Sequence, residues 1–163
     1  MLLTVKIRLT RPYLGELKPD NRGVRRFKRF NNGVHVNTAF WQSQLQLAAR
    51  NIHADVDAKT IQPPREIFPA SIHLYRRIFS QVRMELFESF RKGTVLTMDF
   101  IVREDLPKCP NPDQFKTMLS FVGEYLGLSQ FGSAFGFGLF IVENVELKIY
   151  ESKGRGPVPA PEL

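Results

Sequence analysis

Polar and apolar residues alternate from Met1 to Thr10: Leu3, Val5, Ile7 and Leu9 fall on one side, and Thr4, Lys6, Arg8 and Thr10 on the other. A period of two predicts a half-buried strand whose open face carries Lys6 and Arg8. From Phe40 to Ile52 the period lengthens. Phe40, Trp41, Gln44, Leu45, Ala48, Ala49 and Ile52 recur at helical spacing, with Asn37 or Thr38 as cap and Asn51 as the end. Trp41 sits on that stripe as a core anchor. Residues 53–67, with Pro63 and Pro64, form a polar connector.

Alternation returns at Phe68–Phe79, with Ala70, Ile72 and Leu74 opposite Ser71, His73, Tyr75, Arg77 and Phe79. The second set forms a stacking and hydrogen-bonding surface, or a face covered by the long basic loop, or each in turn. Over Ser80–Lys92, Val82, Leu86, Phe87 and Phe90 fit a helical turn and Val82, Met84, Leu86 and Phe90 an extended strand; Arg91-Lys92-Gly93 favours a β-ribbon by turning the chain into a strand over Thr94–Val102 with Leu96, Met98, Phe100 and Val102 inward. Asn111, Pro112 and Gln114 supply the cap, first-turn proline and capping-box partner of a second helix. Its stripe is Phe115, Met118, Leu119, Val122, Tyr125 and Leu126, and Gly127 stops it. Leu139–Tyr150 forms the last strand, and residues 151–163 a flexible proline-rich tail.

The order is therefore strand, helix, strand, strand, helix, strand. It predicts one α+β domain over residues 1–150 of the ferredoxin-like βαββαβ kind, an antiparallel sheet with two helices on one face and the other face open. Two stretches stay outside this periodicity. Residues 11–36 hold Pro12, Gly15, Pro19, Gly23 and Gly33 as breakers and read as a long loop. Residues 127–140 gather four glycines and four phenylalanines between the second helix and the last strand, a loop before that strand that favours unusual dihedrals or close backbone approach.

Charge changes the reading of the first stretch. Residues 1–30 hold nine basic and two acidic side chains, whereas the rest of the chain holds fourteen of each. A surplus confined to one segment fits a polyanionic partner. Arg22, Arg25, Arg26, Lys28 and Arg29 interleave with Phe27 and Phe30, a pattern suited to phosphates and bases, although the two rings can equally anchor the loop on the core.

The chemistry of a cofactor or metal site is not written in the chain: one cysteine, Cys109, and His35, His53 and His73 far apart leave no metal-ligand spacing, and no cofactor is expected. The glycine loop follows a helix and opens a strand, opposite to a dinucleotide fingerprint, and it lacks the Lys-Ser/Thr of a P-loop. No apolar run reaches the roughly 18 residues of a membrane span, and Lys6 falls too early for a signal-peptide apolar segment. A cytoplasmic protein without a membrane partner is expected, in the host cytoplasm if the source is viral.

Gly127, Gly132, Gly136, Phe137 and Gly138, running into Phe140-Ile-Val, resemble the glycine-rich loop of the RAMP superfamily of CRISPR-associated RNA-binding subunits and processing endonucleases. The loop and following strand are also similar to those of small bacteriophage proteins. The resemblance implies a ferredoxin-like fold and an RNA partner. One departure is that residues 127–140 contain no Lys or Arg, where the family's loop often carries one.

The leading expectation is a non-catalytic protein binding single-stranded RNA or another nucleic acid. Lys6, Arg8, Arg22, Arg25, Arg26, Lys28, Arg29 and Arg77 would supply charge, Phe27, Phe30, Tyr75 and Phe137 stacking, His73 hydrogen bonds, and Gly132, Ser133, Gly136 and Gly138 backbone donors. One alternative is a metal-independent endoribonuclease using His35 or His73 as base. Another is a viral interaction or assembly factor whose basic arm docks on an acidic protein.

Overall fold

Strands far apart in the chain pair to build the main sheet of this computed structural model, which describes residues 1–30, 33–67, 72–80, 83–128 and 136–148. Side-chain surroundings are described for these except at Phe30, 76–80 and 83–84. Strand β1 (Leu2–Leu9) has β10 (Val95–Val102) antiparallel on one side and β11 (Phe140–Lys148) antiparallel on the other. The two-residue strand β6 (Ile61–Gln62) pairs with the end of β10, giving the order β11-β1-β10-β6. Alternation placed these strands as expected: Leu3, Val5, Ile7 and Leu9 of β1 and Leu96, Met98, Phe100 and Val102 of β10 are all buried.

Helices α1 (Thr38–Asn51) and α2 (Pro112–Phe121) cover that buried face. Trp41 of α1 meets the Phe100 ring edge-on at 5.3 Å between centroids, and Phe115 of α2 meets the same ring at 5.0 Å. Each large side chain buried here contributes roughly 1.5–3 kcal/mol. The expected caps form: Asn37 Oδ1 accepts from the Phe40 N–H, and Asn111 and Gln114 close a reciprocal capping box. One detail of α2 differs from its sequence stripe. The helix continues as a π-turn over Val122–Leu126 before Gly127 takes φ 82°. The wider turn rotates Tyr125 out of register, so Tyr125 is exposed while Val122 stays buried.

The second strand of the main sheet is not where alternation placed it. Ile61–Gln62 lies inside the stretch read as a connector, and two residues are too few to show a period. The alternating segment instead forms β8 (His73–Ser80), paired antiparallel with β9 (Arg83–Phe90) in a separate sheet, and residues 68–71 lie outside the described residues. The expected ribbon therefore exists, but it stands apart from β1.

Residues 11–36 are not a loop throughout. Strand β2 (Tyr13–Leu14) pairs antiparallel and β3 (Val24–Arg25) parallel with β9, while β4 (Arg29–Phe30), β5 (Gly33–His35) and β7 (Glu66–Ile67) make a third, small antiparallel sheet. The basic segment is thus stitched to the hairpin by short pairings that carry no sequence periodicity. Taken together the described residues form a mixed α+β fold with mainly antiparallel sheets and two α-helices. Among the described residues no helix is long and apolar enough to cross a membrane.

Candidate nucleic-acid interface

Two carboxylates hold the basic segment in place. Asp20 closes a turn: its Oδ1 accepts from the Arg22 and Val24 N–H groups at 2.8 and 3.0 Å, and its Oδ2 from Arg26 Nε at 2.7 Å. The Val24 hydrogen bond, then the Arg26 side chain, lower its pKa from 3.8 to about 2. Because the folded value lies below the ordinary one, the turn's contribution to stability is complete above 3.8 and is lost as pH falls through about 2. An NMR titration of the Asp20 carboxyl carbon should show its midpoint near 2, and Arg26→Ala should raise it; a midpoint at the ordinary value would reject this turn.

Glu88 of β9 is the second anchor and is only 5% exposed. Its Oε1 accepts from the Phe27 N–H at 2.7 Å, and its Oε2 from Arg26 and Arg29 at 3.3 and 3.0 Å. Arg25 pairs with Glu85 at 3.1 Å. Three of the five cations of residues 22–29 therefore have carboxylate partners within the fold, yet Arg26 and Arg29 keep nearly half of their side-chain surface in solvent. Arg22 and Lys28 are exposed and make no ion pair among the described residues.

The aromatic assignments change with burial. Phe27 is a core residue, stacked on Phe90 at 5.1 Å and tilted against Tyr13 at 5.0 Å, so its ring is not offered to a base. Phe137 is buried too, with Leu14 and Phe87, and meets Tyr75 edge-on at 5.5 Å. At the start of β8 Tyr75 packs, while Leu74 beside it is 66% exposed. The ring that meets Tyr75 is Phe137 at the end of the glycine loop, a partner that lies far away in sequence, whereas β2 extends the same sheet through β9. Tyr13 shows the same burial. Removal from water, then the Glu16 charge, hold its hydroxyl well above the usual tyrosine range.

The open face of the main sheet is not a cationic platform. Exposed charges on β1, β10 and β11 are Lys6, Arg8 and Lys148 against Asp99, Glu143 and Glu146, which cancel. Arg8 Nε donates to Glu143 at 2.7 Å, and Thr4 donates to Asp99 at 2.6 Å. No aromatic residue occupies an exposed position of these three strands, so the face lacks stacking surfaces.

At the glycine loop, the described ends are tied by backbone bonds. The Gly127 N–H donates to Val122 O, Leu128 N–H to Gly138 O, and Gly138 N–H to Pro12 O. Gly138, expected to offer its N–H to a ligand, spends it on Pro12. Gly136 and Gly138 both take positive φ. The cation missing from the loop's sequence arrives from elsewhere: Arg11, exposed, sits 5.5 Å over the Phe137 ring, with its guanidinium beside Gly136. Nothing in local sequence connects Arg11 to this loop. Gly132 and Ser133 lie outside the described residues, as do the side chains of Phe30 and Arg77.

A cleft of about 290 Å³ joins these parts. Tyr13, Glu16, Leu17, Phe27 and Lys28 line it from the basic segment, His35 and Val36 from β5 and beyond, Asn37 and Phe40 from the start of α1, and Leu128 from the glycine loop. His35 also lies with Nδ1 3.1 Å from Arg65 O, whereas His73 is not among the cleft residues. Phe40, which sequence reading placed on the helix stripe, is the lining aromatic that keeps accessible surface, since Tyr13 and Phe27 are buried. Among the described residues no group of three or more His, Cys, Asp or Glu side chains could hold a metal ion. No family model matches the chain, and no curated protein matches it.

Proposed function

We propose that this chain is a non-catalytic single-stranded RNA-binding protein of ferredoxin-like, RAMP-related architecture. The observation that carries the reading is the meeting of the basic segment and the base of the glycine loop at one cleft, lined by both Lys28 and Leu128, although the two lie a hundred residues apart in the chain. The architecture is supported by strand order. Taking β1, β6, β10 and β11 as first to fourth, the sheet runs fourth, first, third, second, all antiparallel, with α1 between the first two and α2 between the last two.

Charge on this surface comes from Arg22 and Lys28, with the half-exposed guanidiniums of Arg26 and Arg29 held in fixed positions by Glu88. An arginine already hydrogen-bonded through one edge still has further N–H donors for a phosphate. With roughly four phosphates neutralised, fluorescence anisotropy on a labelled single-stranded RNA should give a log affinity that falls against log salt with a slope near −2.8. The double variant Arg22→Ala, Lys28→Ala should flatten that slope to about −1.4. Arg25→Ala should leave it almost unchanged, because that side chain is only 26% exposed and is engaged with both Glu85 and the Leu17 carbonyl. Salt-independent binding, or a double variant with the wild-type slope, rejects the reading.

A further inference from the structure

The cleft differs from the charged surface around it. Its walls combine aromatic and aliphatic side chains, Tyr13, Leu17, Phe27, Val36, Phe40 and Leu128, with the polar groups Glu16, Lys28, His35 and Asn37, so that polar and apolar surface are about equally represented. A concavity that pairs an apolar wall with several convergent polar groups suits a small planar ligand with a polar edge, and about 290 Å³ lies at the small end of ligand sites. A phosphate alone would leave the apolar wall unused, and a double helix could not enter.

We propose that the cleft is a subsite for one unstacked nucleobase of the bound strand, an inference that rests on the RNA-binding reading above. Phe40 is the stacking face, because it alone of the three lining aromatics retains accessible surface. Asn37 spends its side-chain oxygen on the Phe40 N–H, which leaves its amide hydrogens as donors to the base edge, while the Glu16 carboxylate is the acceptor. Lys28 sits at the same cleft and takes the phosphate of that nucleotide. The polar partners thus include both donors and an acceptor, which a base edge requires and a simple anion does not.

Two RNA-length ligands of equal charge separate this subsite from general phosphate binding: one single-stranded oligoribonucleotide, and the same backbone with abasic sugars throughout. Wild-type protein should bind the first at least tenfold tighter. Phe40→Ala should lose about tenfold on the base-bearing strand and almost nothing on the abasic one, so that the difference between the two losses measures the base contact itself. Leu17→Trp is the second variant. Leu17 is 43% exposed at the cleft, so a larger ring there fills the space without entering the core, and it should reproduce the same selective loss. Equal losses on both ligands, or none, overturn the base subsite while RNA binding stands. Failure of the wild-type protein to bind either ligand overturns both.

Discussion

Glu88→Ala should lower the stability of the fold by about 3 kcal/mol, read as a reduced midpoint in urea unfolding with little change in slope. The figure follows from what the carboxylate does. Its Oε1 satisfies the Phe27 N–H, a buried donor whose orphaning costs about 1–3 kcal/mol. Arg26 and Arg29 lose a partner as well, but each is nearly half exposed, so water takes over and these losses are small beside the orphaned N–H. Glu88→Gln keeps an acceptor for the Phe27 N–H and should cost only about 1 kcal/mol. Equal destabilisation by the two substitutions would show that the ion pairs, and not the backbone bond, hold the segment.

Gly15→Ala should be comparably damaging, about 3 kcal/mol, and its effect should centre on the basic segment. A Cβ at Gly15 would lie 2.5 Å from the Arg26 carbonyl carbon and 2.8 Å from the carbonyl oxygens of Arg25 and Arg26. These are backbone atoms, which cannot rotate away as a side chain can. Gly15 N–H donates to Glu88 O, and Leu17 N–H to Arg26 O, so the clash falls where the segment is fastened to β9 and to itself. Thermal unfolding and amide chemical shifts check this: a loss of Tm with the largest shift changes over Tyr13–Phe30 and β9 is expected. A variant within 0.5 kcal/mol of wild type would mean that the close crossing does not form.

The two substitutions bear on function because they act on the scaffold of the proposed phosphate surface. Arg26 and Arg29 are oriented by a carboxylate and by backbone pairings, so their binding geometry exists before a ligand arrives. Preorganised contacts lose less entropy on binding than those of a free loop.

Much of the fold was legible in sequence. Strands β1 and β10 and helices α1 and α2 are long enough for their periods and caps to stand out, and Asn37, Asn111, Gln114 and Gly127 all occupy the roles their residue types favour. The site was legible in part. Local charge density marked residues 22–29, but it could not show that Arg25, Arg26 and Arg29 meet Glu85 and Glu88 some sixty residues later. Phe27 and Phe137 drew notice as aromatics among arginines and glycines, while Phe40, on a helix, gave no sign that it faces a cleft.

Sequence by itself determined the long elements, their caps and where the basic surplus lies, because periodicity and capping depend on neighbours within a few residues. Only the tertiary structure decided the two-residue strands, the packing of Tyr75 against Phe137, the cancelled charge on the open sheet and the placing of Arg11 beside the glycine loop. Each of these depends on contacts between residues far apart in the chain, where pairing and burial override what a local pattern can specify.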